Sequence, residues 1–402
     1  MKQASRYLYL SIFVTLFIWL SLFVGFVEVN HVNIALVITL IILVLLQRTE
    51  ARKIFLDKED LFLWCYILVL TVGLNFTENR EIAFNRYINY AIPILIVYFL
   101  FKSQVSLTKY KITFAVTICV LAGIVSTIGI LEFIFHKNIL YEKFISNMWY
   151  KIYLPESRIM STQLVPAVLG TYLIASIPFS YFLIYKSNSK TLKKLGILTA
   201  VLCVLALFFT FSRGSFLAFL VLTIIYFYKK SKKIIYGLFI SIFLIVAVIS
   251  FFKAPVMKRF SVRSLTSRSI YERKLSRVNT TLGMLKDYPF LGVGLDNYRI
   301  TFDKYHHKKG FGHLVRIPDN MHLMVLGETG ILGYLAFISF ILYLLINSFR
   351  SQNELVFTIS VAIVGILVNM LTYDLLYWTA PFYIFWMYCG ILASSRTKGK
   401  NA

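Results

Sequence analysis

Arginine is the first residue to look for in a chain built mostly of apolar runs. Its guanidinium stays charged and presents a planar donor fork that suits phosphate and pyrophosphate. Arg213, in Phe211-Ser212-Arg213-Gly214-Ser215, lies between two apolar runs with only a short turn available, which sets its side chain near a membrane surface. A snorkelling or helix-capping arginine and an anion-binding one both fit that position. A second basic cluster, Arg268, Arg273, Lys274 and Arg277, follows in a polar stretch. If that stretch is helical, Arg273 and Arg277 share a face, and a bound anion would relieve their repulsion. A solvated basic helix is the plain alternative.

The acid and base candidates come next in the chain. Pro318-Asp319-Asn320-Met321-His322 stands just before an apolar run, and proline followed by aspartate is a good helix opening with Asp319 as the N-cap. On the functional reading, Asp319 and His322 lie three apart on one helical face as acid/base groups at the membrane surface. Glu328, in Gly327-Glu328-Thr329-Gly330, sits two turns deeper, as hydrogen-bonded structure or as part of the site. The segment Asp287-Tyr288-Pro289-Phe290-Leu291-Gly292-Val293-Gly294 reads as a helix end followed by a turn controlled by Pro289, Gly292 and Gly294. No strand precedes it and no third glycine opens a helix, so dinucleotide and P-loop readings fail. Glu78, Arg80, Glu81 and Arg86 alternate in sign and are expected to satisfy one another, and Asp374 to do the same or pair with an arginine. Neither the histidines nor the four cysteines show a metal-ligand spacing, so no metal or cofactor is expected.

These residues need a scaffold, and composition names its class. Of 402 residues, 58% are hydrophobic and only 15% charged, which excludes a soluble enzyme and a disordered chain. Twelve apolar runs are long enough to be read as spans: 7–24, 32–47, 61–76, 84–101, 111–135, 163–185, 195–211, 214–229, 233–252, 322–347, 354–373 and 377–393. The expected fold is therefore all-α and polytopic. With the N-terminus in the cytoplasm, the cytoplasmic segments hold 21 Lys and Arg against 3 in the short outer connections, so both termini are expected inside. The expected organisation is 1–252 with the first nine spans, 253–321 as a large outer loop with short helices, and 322–402 with the last three spans and a short tail. The 253–321 loop carries 14 Lys and Arg against five acidic residues, a charge suited to anionic lipid head groups or to an anion-binding vestibule. Nucleic acid is excluded as a partner on that side of a membrane.

In order, the chain shows an Arg-Gly-Ser step, a basic outer loop ending in Pro-x-x-Gly-x-Gly, then Asp-Asn-x-x-Leu and Glu-x-Gly-x-x-Gly opening a helix. Between Phe208 and Phe337 this resembles the O-antigen ligase and O-antigen polymerase superfamily of bacterial envelope glycosyltransferases. The resemblance implies a metal-independent, C-type glycosyltransferase with twelve spans in the bacterial inner membrane. Such an enzyme takes a glycan from an undecaprenyl diphosphate carrier and joins it, on the outer side, to lipid A-core or to another carrier-linked glycan. It implies diphosphate-binding roles for Arg213 and Arg273, with Arg268 and Arg277 as alternatives for the second. It also implies a catalytic base at Asp319 or His322, supported by Asn320, Glu328, Gly292 and Gly294. Ligase-like members carry His-Asn where this chain has Asp319-Asn320, which moves the reading toward polymerase. The rival from another class is a lipid-linked oligosaccharide flippase or other transporter; transporters tend to show paired halves with broken helices near the midplane, whereas here no halves correspond and the suspicious charges gather at one membrane surface.

Overall fold

The computed structural model describes residues 13–23, 57–103, 110–138, 158–228, 268–306 and 316–395. Every element among them is helical: α1 (Phe13–Leu22), α2 (Lys58–Gly73), α3 (Arg80–Lys102), α4 (Lys111–Phe135), α5 (Pro166–Lys186), α6 (Lys190–Phe209), α7 (Arg213–Tyr228), α8 (Arg268–Asp287), α9 (Tyr298–Tyr305), α10 (Met321–Phe349), α11 (Glu354–Met370), a 3-10 turn (Leu375–Tyr377) and α12 (Thr379–Ser394). Five of them, α3, α4, α5, α6 and α10, are long and apolar enough to cross a membrane. The expected runs 32–47 and 233–252 lie outside the described residues.

Helix starts follow the local chemistry. Asn79, Ser189 and Asn353 each accept a first-turn N–H at the openings of α3, α6 and α11, and Pro166 takes the first position of α5, where its missing N–H costs nothing. Helix α5 is buried on almost every side and forms the centre of the bundle, with α4, α6, α7 and α11 packed around it. Helices α3 and α12 pair beside it, and α2 lies along α10.

The hairpins sort the polar residues to two ends. At one end, Lys186 pairs with Glu354 (2.6 Å), and Lys102 is buried between Asp60 (2.5 Å) and Asp57 (2.9 Å), locking α2 to α3. The other end gathers the turns before α3, α5, α7, α10 and α12. The residues singled out for chemistry lie there.

Helix α10 is not one continuous helix. At Gly330 (φ 64°, ψ −169°) the chain leaves the helical conformation and resumes it one residue later. The break frees backbone groups that must be satisfied inside a membrane, and residues 289–294 satisfy them. Val293 and Gly294 donate their N–H groups to the carbonyls of Gly327 and Glu328, both at 3.0 Å. Ile331 and Leu332 in turn donate to the carbonyls of Pro289 (2.9 Å) and Phe290 (3.3 Å). The Pro-x-x-Gly-x-Gly and Glu-x-Gly motifs are thus two halves of one backbone joint.

Glycine is required at both faces of that joint. A Cβ on Gly292, which has φ +68°, would stand 2.5 Å from the carbonyl carbon of Glu328, and one on Gly330 2.4 Å from that of Phe290. Gly292→Ala is therefore expected to destabilise the protein by about 2 kcal/mol or more, from the left-handed backbone and overpacking together. Thermal unfolding in detergent, followed by a thiol-reactive dye reporting exposure of buried Cys119, Cys203 and Cys389, measures it. Gly73→Ala is the control, since nothing lies within 4 Å of its Cβ. Equal midpoints for the two variants would contradict the joint.

Candidate active site

The Arg-Gly-Ser step opens α7. Phe211 adopts φ +49°, which turns the chain sharply after α6, and Arg213 becomes the first helical residue, half-buried. A cation at a helix N-terminus opposes the helix dipole, so this placement gains from a nearby anion. The step is pinned from beneath. Ser212 Oγ and Ser215 Oγ are 2.8 Å apart, and the buried Asn369 Nδ2 donates to Ser215 Oγ (3.1 Å) and Thr171 Oγ1 (2.8 Å). Gly214 presses on Thr372, whose Oγ1 would be 1.7 Å from an added Cβ. Arg158 approaches the same step, its Nε donating to the carbonyl of Thr210 (3.1 Å). Arg158 is not among the residues singled out from sequence; its place in a stretch with Lys137, Lys143 and Lys151 was the available signal.

The basic loop cluster lies on α8, so the helical condition is met. Arg277 Nη1 pairs with Asp319 Oδ2 at 2.6 Å. Arg268 and Arg273 occupy the first two turns of the same helix. Tyr298 of α9 packs its ring over Gly327 and bonds Thr281 of α8 through its hydroxyl (2.7 Å), so α8 and α9 grip the first half of α10. Asn297 ties this unit to the start of α3: its Oδ1 accepts from Asn79 N–H at 2.9 Å, and its Nδ2 donates to Asn79 C=O at 3.3 Å.

Two expectations at the start of α10 need correction. The N-cap is Asn320, whose Oδ1 accepts from the N–H groups of His322 (2.9 Å) and Leu323 (3.2 Å). Asp319 stands outside the helix at φ +44° and turns to Arg277. Asp319 and His322 consequently share no helical face. The amide side chain wins the cap because the guanidinium claims the carboxylate. His322 points into the bundle, with Nε2 3.3 Å from Leu367 C=O and Nδ1 3.5 Å from Tyr334 Oη.

Glu328 is buried in the joint, hydrogen-bonded by Tyr377 Oη through Oε2. Arg86 stacks over the Tyr377 ring at 3.9 Å and reaches Tyr90 at 5.4 Å. Its contact is therefore aromatic, beyond the alternating charges beside it in sequence, a pairing of α3 with the turn before α12 that spacing does not reveal. Arg80 bonds Asn75 Oδ1 (3.2 Å). Gly292 and Gly294 serve the joint and approach the site only through it.

The turn before α12 holds Asp374, 1% exposed, with Oδ1 buried and without a hydrogen-bond partner. Burial pushes its carboxyl up to about 6. Its own backbone opposes that rise, Asp319's charge adds to it, and Arg299 and Trp378 also act against it. The last turn of α11 and the residues after it thus form a shared floor. Leu367 receives His322, Asn369 holds Ser215, Thr372 meets Gly214, and Asp374 feels the charge of Asp319. Arg213 and the Arg277–Asp319 pair come from different elements and stand around this floor.

Among the described residues, apolar spans, a broken helix sealed by a loop, and guanidinium and carboxylate groups at one end define a multi-pass membrane protein with a polar site. Residues 198–338 match the family model described as O-antigen ligase. The matched stretch contains Arg213, α8, the Pro-x-x-Gly-x-Gly loop, Asp319 and the joint of α10. No curated protein matches the chain significantly.

Proposed function

We propose that the protein is an inverting glycosyltransferase of the bacterial inner membrane. It would use an undecaprenyl diphosphate-linked glycan as donor on the outer side and lengthen another carrier-linked glycan, or else charge an acceptor such as lipid A-core. One observation carries the reading: Arg277 and Asp319 form a 2.6 Å pair beside the floor that also seats the Arg213 step. A diphosphate is a better partner for a guanidinium fork than one carboxylate oxygen. Donor binding at Arg213 and Arg277 therefore releases Asp319 where the acceptor arrives.

The chemistry then balances simply. The acceptor hydroxyl oxygen bonds to the anomeric carbon, and the bond from that carbon to the phosphate oxygen breaks with its electron pair. The hydroxyl proton passes to Asp319. The arginines stabilise the charge growing on the leaving diphosphate, work that elsewhere falls to a metal ion. Arg273 and Arg268, earlier on α8, extend the attraction along the carrier phosphate path, and membrane lipids flank the apolar spans. His322 and Asn320 hold the start of α10 in place. An aspartate at the base position favours polymerase over ligase.

Attack opposite the leaving group inverts the anomeric centre. NMR of the new linkage is the test: the donor and product configurations are expected to differ, and retention would overturn the single-displacement mechanism.

A further inference from the structure

The turn between α11 and α12 contains more chemistry than the donor reading uses. Asp374 is buried; its own backbone and Trp378 act on the carboxyl as hydrogen-bonding groups, while Oδ1 itself has no partner, and a buried acceptor in that state is unfavourable until a donor group reaches it. The charges of Asp319 and Arg299 both act on it, so it lies within electrostatic reach of the carboxylate that would take the acceptor proton. Tyr373 precedes Asp374 in the chain and Trp378 follows the 3-10 turn, both partly exposed, with ring centroids 6.0 Å apart and planes tilted 30°. Val165 and Val168 back the two rings. The 3-10 turn fixes the set: Tyr377 N–H donates to Asp374 C=O at 3.0 Å and Trp378 N–H to Leu375 C=O at 3.1 Å.

A carboxylate flanked by aromatic faces is the chemistry that recognises a carbohydrate. The carboxylate accepts hydrogen bonds from hydroxyls, and the rings cover the apolar C–H face. We propose that this turn is the acceptor-sugar subsite, in which Asp374 accepts hydrogen bonds from hydroxyls of the incoming sugar while Tyr373 and Trp378 pack against its C–H face. The inference rests on the glycosyltransferase reading and adds the side from which the nucleophile enters. Thr372, in the same turn, abuts Gly214 beside Arg213, so acceptor and leaving group are held by neighbouring parts of one floor.

The test uses the full-length protein in liposomes with the lipid-linked oligosaccharide pool as donor. Two acceptors are offered, the same oligosaccharide as a benzyl glycoside, which cannot act as a donor, and lipid A-core. Trp378→Ala and Asp374→Asn are each expected to raise the acceptor KM at least about tenfold, with the donor KM within about twofold of wild type. Trp378→Phe keeps an aromatic face and should recover most of the loss. Donor and acceptor constants moving together, or neither moving in folded variants, overturns the subsite. If wild type transfers to neither acceptor, the glycosyltransferase reading fails. Saturation-transfer NMR with the free oligosaccharide then still decides the subsite. A signal lost in Trp378→Ala supports it, and a signal unchanged in Trp378→Ala overturns it. Should Asp374→Asn not fold, the partly exposed Trp378 carries the comparison.

Discussion

Arg213→Ala is expected to lower turnover about 10²- to 10³-fold, the loss that follows removal of one preorganised donor from a developing anion. Arg213 takes the first position of α7, and Ser212, Ser215 and Asn369 pin the chain around it, so the substitution removes the charge and leaves its platform. Arg213→Lys separates charge from shape. A lysine keeps a point charge but loses the two-pronged contact, and most of the defect should remain. The measurement is initial rate against donor concentration for the three proteins, with folding checked by thermal midpoint. A lysine variant within about threefold of wild type would point to a diffuse electrostatic role instead of a bidentate contact.

Asp319→Asn gives the second large effect and has a distinctive sign. The amide cannot take the acceptor proton, so kcat should fall about 10²- to 10⁴-fold. The same change removes the carboxylate that competes with the donor for Arg277, so the donor KM should fall as well. Arg277→Ala predicts the opposite direction for donor binding, because it deletes the cation and leaves Asp319 unopposed. A simple structural defect would raise KM and lower kcat together in both variants, which is why the opposed signs matter. Near-normal kcat in Asp319→Asn would move the base elsewhere, with His322 next in line.

Much of the scaffold was readable from residue order. The run 111–135 coincides with Lys111–Phe135, and the end of α8 falls at Asp287 before the Pro/Gly turn. Apolar periodicity and charged boundaries are local properties, so they transfer directly to helices. What stayed hidden depends on contacts between distant segments. Gly292 and Gly294 looked weak as a motif because the joint they permit, Val293 and Gly294 N–H to the carbonyls of Gly327 and Glu328, reaches more than thirty residues on. The run 322–347 reads as one helix, and only the Gly-Glu-Thr-Gly sequence hinted at the break at Gly330. Asp319 is as good a cap as Asn320 by type; Arg277, forty-two residues earlier, decides between them. Arg86 on Tyr377 and the burial of Asp374 are likewise products of packing.

The most direct measurement places the purified protein in liposomes, without divalent metal, with an undecaprenyl diphosphate-linked oligosaccharide as the only substrate and Arg213→Ala alongside. The expected result is a ladder of longer carrier-linked glycans that the variant does not make; transfer appearing only after lipid A-core is added would select the ligase form of the same chemistry. Movement of the lipid-linked oligosaccharide across the bilayer with no transfer to either acceptor would contradict the account and make the protein a transporter.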